Sequence, residues 1–190
     1  MGLMLSQQPE ADALLARDPL ALVIGMVLDQ QVPLEKAFSS PYVLAERLGH
    51  VPDAAEIAGL DEDTLVAIFS KPPALHRFPG SMAKRVQAMC QAVMERYGND
   101  VTRVWTGATD GKDLLKRVSA LPGFGTQKAQ IFVALLGKQY GVDVPGWREA
   151  AGEFGPEGTY KSVADIRDAE SLAKVRDYKK QLKAAAKAAG

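Results

Sequence analysis

The pattern of apolar and polar residues along the chain is helical almost from end to end. Residues 20–28 are apolar nearly all round, which predicts a central buried helix, and Asp18-Pro19 before them has the form of a helix N terminus. Later segments repeat apolar residues at intervals of three and four, as helices with one buried face do. Because no segment alternates apolar and polar residues as a strand would, the sequence predicts an all-α fold.

Prolines, glycines and capping residues divide this pattern into separate helices. After the central helix, two helices are predicted to begin at Pro33 and at Ser40-Pro41, and two short ones to cover 52–58 and 61–69, the second capped by Asp61. A longer helix is predicted from the Ser81 cap to Tyr97. The remaining predicted helices cover 111–120, 127–140 and the stretch from Ser162 to the C terminus. The last of these ends in an Ala/Lys tail, 179–190, that is expected to fray. Residues 71–80 form the clearest loop, and a turn of helix at 147–151 interrupts the Gly- and Pro-rich stretch 137–158.

A Gly-x-Gly turn within Leu121-Pro-Gly-Phe-Gly-Thr-Gln-Lys-Ala129 joins two of these helices. Two glycines let the backbone turn tightly, and the amides of the turn open onto a helix N terminus, where free N–H groups and the helix dipole favour an anion. The sequence therefore predicts a phosphate site made of backbone amides, with a hydroxyl or cap from the threonine and a charge from the lysine. The predicted contacts are Gly123, Phe124, Gly125, Thr126 and Lys128. An ordinary helix corner with glycines for packing is the alternative.

Composition is that of an ordinary soluble globular protein. At 190 residues, with 47% hydrophobic and 24% charged residues, the chain is long enough for one domain or for two small lobes sharing a core. No apolar run reaches the roughly 18 residues of a membrane span, and the N terminus lacks the form of a signal peptide, so we expect a cytoplasmic protein with no membrane partner. The single cysteine, Cys90, excludes an internal disulfide and a multi-cysteine metal site. Its place in a helical pattern predicts a buried side chain.

The charge balance is a complication for a DNA-binding protein. Lys plus Arg and Asp plus Glu both number 23, whereas nucleic-acid binders usually carry a basic surface. The charges are unevenly distributed, however. Residues 174–190 hold six basic side chains and one acid, and residues 53–63 hold five acids and no base. This distribution predicts a polarised molecule with one face that favours DNA.

Three segments resemble the superfamily of base excision DNA glycosylases that is defined by a helix-hairpin-helix, a Gly/Pro-rich loop and an Asp, the HhH-GPD superfamily. They are residues 20–31, which resemble its first core helix and a Ser-Gln-Gln-like turn, residues 81–89, which resemble the helix before the hairpin, and residues 113–125, the most specific of the three. The resemblance covers about Asp18 to Trp147. It implies a two-lobed helical domain over 1–158, with the hairpin motif at 113–140, followed by a C-terminal helix and basic tail over 159–190.

This resemblance implies that the hairpin grips phosphates of double-stranded DNA while a damaged nucleotide is flipped into a cleft between the lobes. Gln31, or its neighbour Gln30, matches the position from which family members push a side chain into the vacated stack. A polar amide can fill that gap and hydrogen-bond the orphaned base. The alternative is that the Gln pair caps the helix and bonds its last carbonyl groups.

The family also requires a carboxylate, since breaking an N-glycosidic bond builds positive charge on the sugar. Asp143 is the candidate, because it follows the hairpin helix in the order that the family shows. Against endonuclease III counted without gaps, the catalytic position falls on Pro145, two residues later, and a short deletion in the loop restores the match to Asp143. An ordinary surface turn Asp is the alternative, and Asp29 and Glu149 are weaker candidates.

Two departures from the family narrow the expected reaction. Bifunctional members carry a lysine two residues beyond the second hairpin glycine, where this chain has Gln127, and Lys128 is about 100° further around the helix. The four-cysteine iron–sulfur cluster of endonuclease III is also absent from the sequence. We therefore expect a monofunctional N-glycosylase without lyase activity, monomeric and needing no cofactor, with room at the hairpin for a monovalent cation.

Other side chains are weaker candidates. Trp147 and Phe154 either stack in a base pocket or pin a Gly-rich loop to the core, and core packing is favoured. His76 and Arg77 either touch DNA or form an exposed loop pair, and neither histidine has partners at the spacing of a metal site.

Two hypotheses compete with an enzyme. A glycosylase-like module could recognise damaged or distorted DNA without cutting it, which the offset of Asp143 and the zero net charge favour. A helical interaction protein with no DNA role would show no salt-dependent DNA binding.

Overall fold

The structure is a computed structural model that describes residues 2–190, and within that range it contains helices and no strand. The α-helices in chain order are α1 (Pro9–Arg17), α2 (Pro19–Leu28), α3 (Leu34–Leu48), α4 (Ala54–Gly59), α5 (Glu62–Ser70), α6 (Pro79–Tyr97), α7 (Arg103–Thr106), α8 (Gly111–Ser119), α9 (Thr126–Gln139), α10 (Trp147–Ala150) and α11 (Ala169–Ala189). Two short 3-10 helices, Gly152–Phe154 and Val163–Asp165, lie between α10 and α11. The prediction of an all-α fold is confirmed.

Helix α2 lies at the centre of the molecule, as its apolar sequence predicts. Residues 20–28 are all buried, and α2 packs against α1, α3 and α6. The Asp18 carboxylate accepts a hydrogen bond from the Leu20 N–H at 3.0 Å and so caps the helix. Gly25 brings α3 close, because a Cβ there would stand 2.6 Å from the Phe38 ring. A residue at the end of α2 is therefore surrounded by several other elements.

Helix α3 is continuous, although Ser40-Pro41 predicts a break between two helices. Pro41 is buried inside the helix and lacks the N–H that would bond one turn back. The Ser40 hydroxyl lies 2.7 Å from the carbonyl oxygens of both Lys36 and Leu75, so it ties this turn of the helix to the loop before α6. Tertiary packing overrides the local proline signal here.

Two predicted helix starts are wrong, because neither Ser81 nor Ser162 is the N-cap of the helix predicted to start there. Helix α6 begins at Pro79, two residues before Ser81, since proline suits the first helical position. Helix α11 begins at Ala169, where Asp168 and Ser171 form a capping box. Ser162 instead accepts from the Ala164 N–H at the start of a 3-10 helix. The tail that was expected to fray is helical up to Ala189.

The arms of the hairpin, α8 and α9, pack on each other, and α10 packs on both. Trp147 of α10 is buried so tightly that a Cβ at Gly137 would stand 2.4 Å from its ring. Phe154 is buried as well. The interpretation of both aromatics as core residues is confirmed. Cys90 is also buried, as predicted, and burial raises the pKa of its thiol to about 12.

Candidate DNA-binding and catalytic site

The hairpin turn leaves the N terminus of α9 open. Gly125 is the N-cap residue, and no side chain caps the first turn, so the Thr126 hydroxyl does not act as a cap. Thr126 and Gln127 are exposed, and this turn carries no acidic side chain. Unpaired N–H groups at such an end can bind an anion, which agrees with the predicted phosphate site.

Two details of the turn differ from the prediction. The Phe124 N–H donates to the Leu121 carbonyl oxygen at 3.1 Å, and the Phe124 ring packs in the core 5.7 Å from the Phe132 ring centroid. The Phe124 amide is therefore already paired. Only Gly123 uses a left-handed conformation, with φ at +94°, whereas Gly125 has φ at −89° and open space around its Cβ position. Gly125 therefore leaves the backbone at the start of α9 exposed, with no side chain over it.

The turn packs directly on the C-terminal end of α2. A Cβ at Gly123 would stand 3.0 Å from Cγ1 of Val27 and 3.4 Å from Cδ of Arg85 on α6. Three elements distant in sequence therefore meet at one place. We call this place the hairpin junction, and it consists of Val27, Asp29, Gln30, Arg85, Gly123 and Lys128.

Lys128 points into the hairpin junction instead of away from the molecule. Its ammonium group donates to the Val27 carbonyl oxygen at 3.3 Å, and its side chain is half-buried. A lysine suits this end of α2, where the last carbonyl groups lack helical partners and the dipole is negative. Burial lowers the pKa of Lys128, while the nearby Asp29 carboxylate opposes that shift.

The two glutamines at the end of α2 differ in how firmly they are held. The Gln30 amide donates to the Val27 carbonyl oxygen at 3.0 Å and accepts from Arg85 at 3.2 Å. Gln30 thus bonds a terminal carbonyl group, as the capping alternative states. Gln31 is exposed, has φ at +57°, and makes no side-chain hydrogen bond within residues 2–190. Of the pair, Gln31 therefore stays the candidate for the predicted insertion, which itself stays a prediction.

His76 is buried, contrary to the prediction of an exposed loop pair. Its Nε2 donates to the Gln30 carbonyl oxygen at 2.9 Å, and its Nδ1 accepts from the Phe78 N–H at 2.9 Å. This pairing requires the neutral ring, and burial accordingly lowers the pKa of His76. The histidine thereby fixes the backbone that leads into Gln31.

Asp29 ends α2 with a carboxyl group in dense surroundings. The side chain is half-buried, and it makes neither a hydrogen bond nor an ion pair with any residue of the described chain. Burial raises the pKa of Asp29, and the charges of Lys179 on α11 and Lys128 on α9 act against that shift. An acid with a perturbed pKa beside cations is a functional-site signal that sequence alone ranked as weak.

Asp143 lies away from the hairpin junction. It is exposed and has no hydrogen-bond or ion-pair partner in residues 2–190. The neighbouring Val142 N–H donates to the Leu136 carbonyl oxygen at 3.1 Å, which holds this loop at the C-terminal end of α9. Leu136 is ten residues beyond Thr126, about 15 Å along a helix. The structure does not bring Asp143 together with Gln31 and the hairpin, and its catalytic role stays a prediction. Glu149 is exposed nearby on α10.

Arg85 is a junction residue that the sequence analysis missed. It comes three residues after Met82 and four before Met89, both of which face inward, so its position on the buried side of α6 was visible in the helical spacing. Phe78 was also missed. It is 42% exposed, with the Arg77 guanidinium 5.2 Å from its ring centroid, and offers a surface on which a base could stack.

The basic half of α11 lies near the end of α2 and the start of α3. Arg176 forms an ion pair with Glu35 at the start of α3, close in sequence to Gln31. Beyond it, Lys179, Lys180, Lys183 and Lys187 are exposed, and no acid follows Asp177. In residues 2–190, no three acidic, cysteine or histidine side chains are grouped to hold a metal ion. No helix in this range has the length and apolarity to cross a membrane.

Comparison with protein families places the chain in a family of repair proteins. Residues 24–188 match the family described as HhH-GPD superfamily base excision DNA repair protein, so the match includes the end of α2, the hairpin and nearly all of α11. A comparison with curated proteins finds no match, and neither does a comparison with solved structures.

Proposed function

The chain belongs to the HhH-GPD superfamily of base excision DNA repair proteins, and within it we propose that this protein is a monofunctional DNA N-glycosylase. Members of this superfamily are generally DNA glycosylases that act on DNA. The finer assignment concerns the reaction: the enzyme flips a damaged nucleotide out of the duplex and hydrolyses its N-glycosidic bond.

One observation carries this proposal. The open N terminus of α9 and the free Gln31 flank the same hairpin junction, because Gly123 and Lys128 contact Val27, four residues before that glutamine. A phosphate held at α9 and a side chain inserted by Gln31 would therefore act on neighbouring nucleotides. Exposed lysines of α11 add contacts to flanking phosphates, which are independent of base sequence.

The absence of lyase chemistry rests on Gln127. This exposed residue stands where bifunctional members carry the lysine that attacks the sugar. Lys128 does not replace that lysine, since its ammonium group is directed at the Val27 carbonyl oxygen. The proposed product is therefore an intact strand with an abasic site.

The experiment is release of free base from a panel of duplexes that carry alkylated, oxidised or deaminated bases. Strand cleavage at the abasic product is scored separately, with and without heating in alkali. Base release with breaks only after alkali supports the proposal. Breaks without alkali would show a lyase and contradict the monofunctional assignment.

A second function is favoured by the place of Asp143. If this side chain were the required carboxylate, its distance from the hairpin junction would favour a module that binds damaged or distorted DNA without cutting it. Such a module would bind lesion duplexes more tightly than undamaged ones and release no base from any member of the panel.

A further inference from the structure

Asp29 has no structural partner that accounts for its place in the fold. A carboxylate at a helix C terminus is opposed by the helix dipole, and burial adds a desolvation cost. Neither oxygen accepts a hydrogen bond from the described chain. Both oxygens keep contact with solvent, since residues 2–190 contain no fully buried, unpaired side-chain oxygen. The carboxyl group is therefore accessible within a dense environment.

The position of Asp29 is central to the parts that would hold DNA. It is two residues from Val27, which contacts the hairpin, and two residues from Gln31, and two residues span at most about 7 Å. A nucleotide flipped between a phosphate on α9 and a gap filled by Gln31 would present its sugar to this part of the chain.

We propose that Asp29 is the catalytic carboxylate of the site, facing the anomeric carbon of the flipped nucleotide from the end of α2. This inference rests on the proposed glycosylase activity and assigns a residue to it.

The chemistry balances with water as the second reactant. The C1′–N bond breaks, its electron pair leaves with the base, and the ionised Asp29 carboxylate stabilises the cationic sugar. A water molecule then attacks C1′, and its proton passes to Asp29 and from there to the departing base. The products are an abasic sugar hydroxyl and the free base.

The surrounding cations favour the ionised carboxylate, against the burial that raises the pKa of Asp29, and they prepare the site for a polyanion. Lys128 from α9 and Lys179 from α11 both favour the charged form of Asp29, and the Arg85 guanidinium also lies in the hairpin junction. Of these cations, the exposed Lys179 would meet a phosphate beside the flipped nucleotide, while Lys128 and Arg85 add positive charge within the junction. The loop that carries Asp143 is held about 15 Å along α9 from the turn, at the opposite end of the helix from Lys128.

The test measures affinity for the charge of the transition state and does not require turnover. Two duplexes are compared, one with a pyrrolidine abasic analogue whose ring nitrogen is cationic, the other with neutral tetrahydrofuran at the same place. We expect the wild-type protein to bind the cationic duplex about 100-fold more tightly, as enzymes prefer transition-state charge. Asp29→Asn should abolish most of this preference. Asp63→Asn, which neutralises an exposed and unbonded acid on α5, is the matched control.

Thermal denaturation keeps a folding defect distinct from a catalytic one. Asparagine has nearly the same shape as aspartate but lacks the charge that the helix dipole opposes. The Asp29→Asn variant should therefore melt at or above the wild-type temperature. A normal melting temperature with lost preference for the cation supports the inference.

The other outcomes separate the two proposals. If Asp29→Asn keeps the preference and Asp143→Asn loses it, Asp29 is excluded while the glycosylase proposal stands. If the wild type binds both analogues equally and tightly, the Asp29 inference is wrong and the binding-module alternative gains. If it binds neither duplex better than undamaged DNA, both proposals fail.

Discussion

Asp29 and Asp143 are two carboxylates near helix ends, and the difference between them lies in what surrounds each one. Asp29 ends the buried helix α2, next to the hairpin turn and to cations from α9 and α11. Asp143 lies exposed in a loop beyond the far end of α9. The motif order of the family selects Asp143, whereas the three-dimensional arrangement selects Asp29. Order along a chain and place in the fold are thus separate criteria for a catalytic residue.

The length of α9 produces this difference. The helix continues to Gln139 and leaves three residues before Asp143, too few to return along about 20 Å of helix. The Pro145 carbonyl oxygen then accepts from the Gly111 N–H at 2.7 Å, which fastens the loop to the start of α8. Both hairpin arms therefore separate the Asp143 loop from the turn.

The largest expected effect is on the rate of base release. With a lesion that the wild type processes, Asp29→Asn should lower the single-turnover rate about 100- to 1000-fold, the usual cost of losing one group that stabilises transition-state charge. Asp143→Asn should lower it far less. Quenched time courses with separation of the free base measure both rates. The opposite order of the two variants would return the role to Asp143.

A second pair of variants replaces one glycine in the hairpin turn and one in the loop that carries Asp143. Gly123→Ala places a methyl group 3.0 Å from Val27 at φ +94°, so it should lower the free energy of unfolding by about 2–4 kcal/mol and weaken DNA binding. Gly141→Ala, at φ +71° with open space around it, should cost about 1–2 kcal/mol and leave DNA binding intact. Urea denaturation and fluorescence anisotropy measure the two properties. Equal costs would show that the turn is not tightly packed on α2.

The third prediction concerns the pH dependence of stability at His76, which bonds the Gln30 carbonyl oxygen of the hairpin junction. Because the folded state lowers the pKa of His76 below its ordinary 6.5, His76 contributes stability at higher pH, and this contribution is lost as the pH falls through 6.5 towards the folded pKa. The slope is at most about 1.4 kcal/mol per pH unit. Urea denaturation at several pH values between 7.5 and 5.5 measures it. His76→Gln, which can still donate to Gln30 but does not titrate, should show a flatter profile. An unchanged profile would argue against a buried neutral imidazole.

The smallest expected effect is on the salt dependence of DNA binding. Lys183 on α11 and Lys112 on α8 are both exposed, but Lys112 lies beside the Asp143 loop. If α11 contacts phosphate, Lys183→Gln should lower the slope of log affinity against log salt by about 0.9, while Lys112→Gln should not change it. Titrations at several salt concentrations measure the slope. Equal slopes for the two variants would remove α11 from the interface.

Much of the fold was predictable because its signals are local. The apolar run 20–28 and the Asp18 and Asp61 caps each depend on a few adjacent residues, and all appear as predicted. The failures lie where a distant contact outweighs a local preference. Pro41 stays inside α3 because the Ser40 hydroxyl and the loop after α5 support that turn.

The candidate site was predictable only in part. Hairpin residues and Gln31 were named as candidates from their motifs, but Arg85 and the burial of His76 depend on how α6 and its preceding loop approach α2. Phe124 was misjudged because its amide bonds within the turn, a detail of backbone geometry that residue types do not specify.

The sequence by itself determined an all-helical chain, the family, and a hairpin with an open helix N terminus, since these follow from periodicity, capping and glycine placement along short stretches. Tertiary structure alone decided which charged side chains share a site. Burial and Coulomb interactions depend on distances between residues as far apart as Asp29, Lys128 and Lys179, and those distances exist only after the helices pack.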